Sequence, residues 1–421
     1  MPTTDAATDA ASRLVLFSAD CHAGPDLGHL GTYVERRHQD AFADYLERTE
    51  RYDAEVADLF AGRRDASYEE MHKVFIERDA VSGLADPDEH LRDLEADGVV
   101  GDVIFPQGVV PFADYPSQPG MLPPIGYVAT PELHAAGCRA YNRWLAEFCG
   151  ANPGRHAGVG VMPIRDVDAA VREIEWCKEA GLHGMSLPPI SDHYPYFNDP
   201  RYEPIWAACA HADLSLSAHG ASTRFYGHGP DSMPIALAEV DFFGRRSLWF
   251  LIFSGVFERH PGLRMVFTEQ RAGWVVSTLA YLDDIYRSPV SRISSLLPRP
   301  PSSYFATNCY IGASFLSATE AAARHDIGVT RLMWGSDYPH PEGAWPWSRE
   351  SLRRTCAGMN EEEMRLILGE NAMACYRMDA AVLEQAAARV GPTLDELRAA
   401  PGDVPSGAHL SWAFRSTDKW T

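Results

Sequence analysis

The 421-residue sequence predicts an α/β chain folded as a (β/α)8 TIM barrel, with a long insertion after strand 1 and a C-terminal helical extension. Three observations lead there. Eight short apolar runs alternate with amphipathic stretches, the pattern of strands joined in parallel through helices. No Gly-x-Gly-x-x-Gly follows the first run, which argues against an open dinucleotide-binding sheet. Ionisable residues stand at the carboxyl ends of several runs, where barrel enzymes carry their chemistry.

The first run is Leu14–Ala19, followed by an insertion over 23–91 with helical patterns at Tyr33–Arg48 and Ala54–Phe60. Val99–Pro106 is the second, and Gly108 to Thr130, rich in Pro, Gly and aromatics, reads as a wall over its end. Pro131 opens a helix to Cys149, because a first-turn proline forfeits no hydrogen bond. Ala157–Pro163, the helix Val167–Ala180 with its stop at Gly181, and the strand His183–Leu187 follow. Then come a helix at Arg201–His211, the strand Leu214–Ala218 and a lid-like segment from Gly220 to Pro234. The helix Gly244–Arg259, stopped by His260-Pro261-Gly262, leads to the strand Arg264–Thr268 and the helix Gln270–Tyr286. Phe305–Ile311, Ser317–Ile327 and Arg331–Trp334 complete a barrel spanning 14–378. From 379 to 421 the pattern changes to a helix at Asp379–Val390, a short helix after Gly391-Pro392 and an irregular tail.

Composition excludes several function classes. Lys and Arg number 37 against 58 Asp and Glu, a net charge of −21, so nucleic acid and anionic membranes are repelled as general partners. The eight cysteines form no Cys-x-x-Cys pair and fit scattered buried thiols of a reduced cytoplasm. The start lacks a basic and apolar leader, and Leu248–Val256 is too short to span a bilayer. A soluble cytoplasmic protein acting on a small molecule is expected, with self-association into a homo-oligomer left open.

Asp20-Cys21-His22 closes the first run. Positions i and i+2 of a strand share a face, so Asp20 and His22 point together while Cys21 packs on the other side. A carboxylate beside an imidazole suits Zn, Mn or Fe. His219 ends the fifth run and Glu269 the sixth. Asp337 follows the eighth, inside Trp334-Gly335-Ser336-Asp337-Tyr338-Pro339-His340-Pro341-Glu342-Gly343. Each taken singly also reads as a turn or cap residue; at five strand ends at once they point to a metal site.

These residues resemble the amidohydrolase superfamily, in its branch that includes aminocarboxymuconate semialdehyde decarboxylase. The likeness rests on Ser18-Ala19-Asp20-Cys21-His22, Asn152-Pro153-Gly154-Arg155, Ala218-His219-Gly220, Thr268 to Trp274, Trp334 to Gly343 and Ile367 to Ala372. It implies ligands at Asp20, His22, His219 and Asp337 for one or two divalent transition metal ions (Zn, Fe or Mn). Many relatives carry His-x-His or Glu-x-His where this chain has Asp-x-His. Glu269 stands where the decarboxylases have a histidine that supports their chemistry; a carboxylate there can bridge to or complete a second metal site. His340 and Glu342 are further candidate ligands or proton carriers.

The leading expectation is therefore a hydrolase in which a metal-activated water attacks an acyl carbon, with Asp337, His340 and Glu269 catalytic. Phe225, Tyr226, Trp345 and Trp347 suit a bulky apolar acyl group. Arg224, Arg245, Arg246 and Arg271 also read as ordinary surface or helix pairing; if they cluster, they could receive the phosphates of an acyl-coenzyme A. Some relatives look like thioesterases, which makes thioester hydrolysis the specific expectation, with an amide or ester otherwise. The alternatives are a metal-dependent non-oxidative decarboxylase of an unsaturated or aromatic acid, and a metal-free binding protein on a degenerate barrel.

Overall fold

The computed structural model describes residues 13–61, 73, 77–78, 80–108, 110–112, 128–190, 194–220, 231–314 and 316–415. Its eight strands are β1 (Phe17–Ala23), β2 (Gly101–Pro106), β3 (His156–Val161), β4 (Gly184–Ser186), β5 (Ser215–Ala218), β6 (Met265–Thr268), β7 (Cys309–Ala313) and β8 (Leu332–Trp334). They are hydrogen-bonded in chain order, and every neighbouring pair is parallel. A parallel bridge between Cys21 and Tyr338 brings the chain just beyond β8 back to β1. The predicted (β/α)8 barrel is the fold found.

Side chains fill the barrel. Phe17, Ala19, Val103, Phe105, Ala157, Val159, Val266 and Met333 form one buried cluster, so the interior is a core rather than a pore. The helix Ala380–Val390 adds Leu383, Ala386 and Ala387 to that cluster and covers the amino-terminal end of the strands. Burying each such Val, Leu or Phe contributes about 1.5–3 kcal/mol. Among the described residues, no helix is long and apolar enough to cross a membrane.

An extra residue in β1 changes which side chains enter the barrel. Ser18 is opposite Asp102 but Cys21 is opposite Ile104, so three steps on β1 match two on β2. Such a bulge re-aims side chains. Phe17 and Ala19 face the interior below it, and Asp20 and His22 face the interior above it. Ser18 and Cys21 both turn outward, where Cys21 Sγ lies 3.3 Å from the hydroxyls of Ser18 and Ser336.

Several elements depart from the sequence reading. β1 runs through Asp20 and His22 to Ala23 rather than stopping at Ala19, because polar side chains interrupt an apolar run without interrupting a backbone ladder. The expected strand Phe305–Ile311 begins as a helix, Pro301–Asn308, and β7 starts only at Cys309. Pro301 favours that helix start, and buried Asn308 ends it by donating to the carbonyls of Pro261 (3.0 Å) and Leu263 (2.8 Å). In the insertion, one helix, Gln39–Ala61, replaces the two expected; no Gly or Pro breaks it, and Glu47 pairs with Arg51 across one turn at 2.7 Å. The helix expected from Gly244 starts at Ser232 and breaks at Gly255, whose φ is 76°. The helix expected from Gln270 starts at Val275, leaving Glu269–Trp274 as a loop.

Replacing Asn308 with Ala should cost about 1–3 kcal/mol, since two buried carbonyls lose their donor. Urea unfolding monitored by tryptophan fluorescence would measure it; an unchanged midpoint would remove Asn308 from this role.

Candidate functional site

The carboxyl ends of the strands gather the residues singled out by the sequence. Asp20 and His22 come from β1, His219 follows β5, Glu269 follows β6, and Asp337 follows β8. His22 Nε2 lies 3.6 Å from Asp20 Oδ1 and 3.3 Å from Asp337 Oδ1. His219 Nε2 is 3.3 Å from Asp20 Oδ1, and its Nδ1 is 3.0 Å from Glu269 Oε2. His340 Nδ1 is 3.0 Å from Asp337 Oδ1, and its ring lies 4.1 Å from that of His22. Glu342 joins Glu269, Asp337 and His340, with one ligand atom of each within 4.8 Å of the others.

Backbone geometry sets these positions. Asp337 donates its N–H to the carbonyl of Asp20 (2.8 Å), and His22 donates its N–H to the carbonyl of Tyr338 (2.7 Å). Glu269 and Asp337 both hold left-handed backbone, with φ of 56° and 57°. That region costs a non-glycine residue about 1–3 kcal/mol and persists only where surroundings enforce it.

Protonation states follow from the contacts. His219 faces acceptors on both sides, Asp20 and Glu269, so it carries two protons. Burial opposes that charge, yet the two carboxylates raise its pKa to about 9. His340 likewise sits between Asp337 and Gln107 Oε1 (2.9 Å). Burial again opposes, and Asp337 beside it raises its pKa to about 10. Burial pushes the carboxyl of Glu269 well above the usual range, though His219 pulls the other way, and burial raises Glu342 too. Asp337 is buried, yet His340 beside it holds its carboxyl well below the usual carboxylate range.

His22 is different. Its Nδ1 faces the carbonyl of Pro106 at 3.2 Å and must donate there. Burial, then His340, lower its pKa, so the ring is neutral with the Nε2 lone pair turned toward Asp20 and Asp337. Among the described residues, buried Nε2 of His22 and Oδ2 of Asp337 have no hydrogen-bond partner. A lone pair aimed at two carboxylate oxygens is repulsive unless a cation stands among them. Fixing the outer imidazole nitrogen on a carbonyl is how proteins orient a metal-ligating histidine. The donor set therefore fits a divalent ion.

Five polar residues of this neighbourhood went unnoticed in the sequence. Ser314, just past β7, donates to Asp20 Oδ2, and Gln107, just past β2, meets His340. On the outer side of the barrel wall, Asp102 holds His90 and His156, each at 2.7 Å. His90 Nδ1 also faces the carbonyl of Gly83 at 2.9 Å, and Tyr338 packs edge-on against the His90 ring at 4.7 Å. All three are fully enclosed, and their mutual hydrogen bonds account for most of their polar atoms. None of these five residues ends an apolar run or belongs to a motif, so the sequence offered no signal.

The expected substrate contacts fare unevenly. Arg224, Phe225 and Tyr226 lie outside the described residues. Trp345 packs against Tyr338 (4.8 Å) and under the guanidinium of Arg78 (4.4 Å), on the side of the insertion. Each described arginine is drawn to a different aromatic partner: Arg245 to Trp274, Arg246 to Phe242, Phe243 and Phe250, and Arg271 to Trp412.

In metal-free protein, the raised pKa of His219 makes stability depend on pH. Its contribution is complete below the ordinary value of 6.5 and is lost as pH rises through about 9. Chelator-treated protein should therefore show a falling Tm from pH 7 to 9.5. The affinity for added Mn²⁺ should rise over the same interval, because ligands must shed protons to bind. A flat Tm would contradict the assigned charge on His219.

Comparison with known proteins agrees with this fold. Gamma-resorcylate decarboxylase of Rhodococcus jostii (strain RHA1) is 28% identical over 223 residues, covering 48% of this chain and 65% of that enzyme. The chain thus aligns with just under two thirds of that relative. The structure of 5-carboxyvanillate decarboxylase from Sphingomonas paucimobilis superposes with a TM-score of 0.60 at 20% identity, covering 87% of this chain and all of that one (100%). Dihydroxybenzoic acid decarboxylase from Polaromonas sp. JS666, with bound manganese and 2-nitroresorcinol, gives 0.56 at 16% identity, over 88% of this chain and 99% of the other. Residues 103–378 match the amidohydrolase family, and the chain belongs to it.

Proposed function

We propose that this chain is a metal-dependent, non-oxidative decarboxylase of a small aromatic or unsaturated carboxylic acid, working in the barrel of residues 14–378. The observation that carries this reading is the buried group at the mouth, where neutral His22 aims its lone pair between two carboxylates. The decarboxylase relatives support it, and they favour it over the thioester hydrolysis expected from the sequence. Asp20, His22, His219 and Asp337 would hold one divalent ion, with Mn, Zn and Fe all suited to such donors. When bound, the ion supplies Lewis-acid stabilisation of developing negative charge.

The chain's own residues do the rest. Glu269, held in a strained turn where burial favours the protonated carboxyl, supplies the proton. It delivers that proton to the carbon that loses its carboxylate. The carbon–carbon bond breaks, its electron pair stays on the substrate, the proton from Glu269 forms the new C–H bond, and carbon dioxide leaves. Glu269 then regains a proton from solvent. His340, anchored on Asp337 and Gln107, presents fixed positive charge to an anionic substrate. Phe105 packs on the rings of His219 (4.8 Å) and His22 (6.3 Å), excluding water beneath them.

A second reading is hydrolysis of an amide, ester or thioester. It is favoured by the resemblance, which implies a histidine in the decarboxylases where this chain has Glu269, a carboxylate that could serve as the base for water.

Protein purified without added metal should contain close to one equivalent of Mn, Fe or Zn by elemental analysis. Less than about half an equivalent, unrestored by these ions, would leave a metal-free binding protein as the better account. Loaded protein should release carbon dioxide from one or more hydroxybenzoates; thiol release from aryl-coenzyme A esters without carbon dioxide would select hydrolysis instead. Replacing Glu269 with Gln should lower kcat by about 10²–10⁴ while metal is retained. A kcat within twofold of the parent would remove Glu269 from proton delivery.

A further inference from the structure

Glu320 is a buried carboxylate, 7% exposed, with an unusual set of partners. Its Oε1 accepts the backbone N–H groups of Ala272 (2.9 Å) and Gly273 (3.1 Å), in the loop that follows β6. Its Oε2 accepts the N–H and hydroxyl of Ser317, both at 3.0 Å, and the guanidinium of Arg415 at 2.7 Å. Five donors converge on one side chain, and Arg415 is the cation among them. A carboxylate out of water needs such compensation. The loop it holds is the strained one, since Glu269 and Arg271 both have positive φ, 56° and 53°.

Arg415 comes from the far end of the described chain, and the residues before it grip a second loop of the site. Trp412 donates its N–H to the carbonyl of Glu342 (2.8 Å), and buried Ser411 donates its hydroxyl to the carbonyl of Gly343 (2.6 Å). The Trp412 ring lies 5.6 Å from the guanidinium of Arg271. Phe414 is buried beneath Arg354, 5.4 Å away. The segment Ser411–Arg415 therefore bridges the loop that presents Glu269 and the loop that presents Glu342.

We propose that Arg415 and Ser411 are positioning residues for the site. Arg415 acts through Glu320 to fix the turn that holds Glu269, and Ser411 fixes the turn that holds Glu342. The C-terminal segment thereby sets the spacing of two carboxylates to which it contributes no side chain. The consequence for metal affinity rests on the metal-site reading above; the mechanical link between segment and loops does not.

The test uses full-length protein, metal-free, in hydrogen–deuterium exchange. Arg415→Met should speed exchange in residues 268–275 by about tenfold or more with strands β2 and β3 unchanged, and Arg415→Lys should restore it to within about threefold. The milder Ser411→Ala should speed exchange in residues 340–346. Mn²⁺ titration of the same proteins should show Arg415→Met weakening Kd by about 10–100-fold, the usual effect of losing an outer support. Unchanged exchange in both loops would overturn the proposal, as would acceleration spread evenly over the barrel. Wild-type protein that takes up no Mn²⁺ would overturn the metal-site reading alone, with the exchange result still deciding the strap.

Discussion

The site depends on the seam where the barrel closes. Two backbone hydrogen bonds, Asp337 N–H to Asp20 and His22 N–H to Tyr338, join the first strand to the turn after the last. Ser336 adds its own N–H to the hydroxyl of Ser18 at 2.8 Å. The seam is tight enough to require glycine on both sides. A Cβ on Gly335 would stand 2.9 Å from Cβ of Asp20, and one on Gly343 would stand 2.4 Å from the carbonyl oxygen of Ser336 and 2.8 Å from Cβ of Asp337. Both metal-ligand candidates of β1 and the one beyond β8 are thus spaced by main chain rather than by flexible side chains.

Strain and charge are concentrated at the same place. The backbone at Asp337 and Glu269 is held in a costly conformation, and four carboxylates (Asp20, Glu269, Asp337 and Glu342) crowd three imidazoles. Without a metal, protons on His219 and His340 do the work of neutralisation. Each of those protons occupies a position that a divalent cation would contest. The two arrangements explain why one cluster can be both well packed and ready to bind metal.

Much of this was legible in the sequence because the candidate ligands coincide with the ends of apolar runs. Asp20, His219, Glu269 and Asp337 stand out for that reason, and His22 through its spacing from Asp20. The bulge in β1 was not legible: the i, i+2 rule placed Asp20 and His22 together correctly, but an extra residue is what lets them share the interior with Phe17 and Ala19. Trp345 packs on Tyr338 and Arg78, partners that nearness in sequence to Asp337 could not name. Residues Phe305–Asn308 are apolar enough to suggest a strand, and only the turn started by Pro301 and ended by Asn308 makes them helical. Gln107, Ser314, Ser411 and Arg415 act through long-range hydrogen bonds, which leave no periodic trace.

The closing seam has a consequence for how the protein comes into being. Asp20 and Asp337 are separated by more than three hundred residues (positions 20 and 337), so their spacing is established only when the final strand docks. Contacts of such long sequence separation are late and slow to form, because the intervening chain must first surrender its freedom. A nascent or partly folded chain therefore presents Asp20 and His22 without Asp337, and cannot assemble the full donor set. Metal capture by the complete site becomes a report that folding has finished.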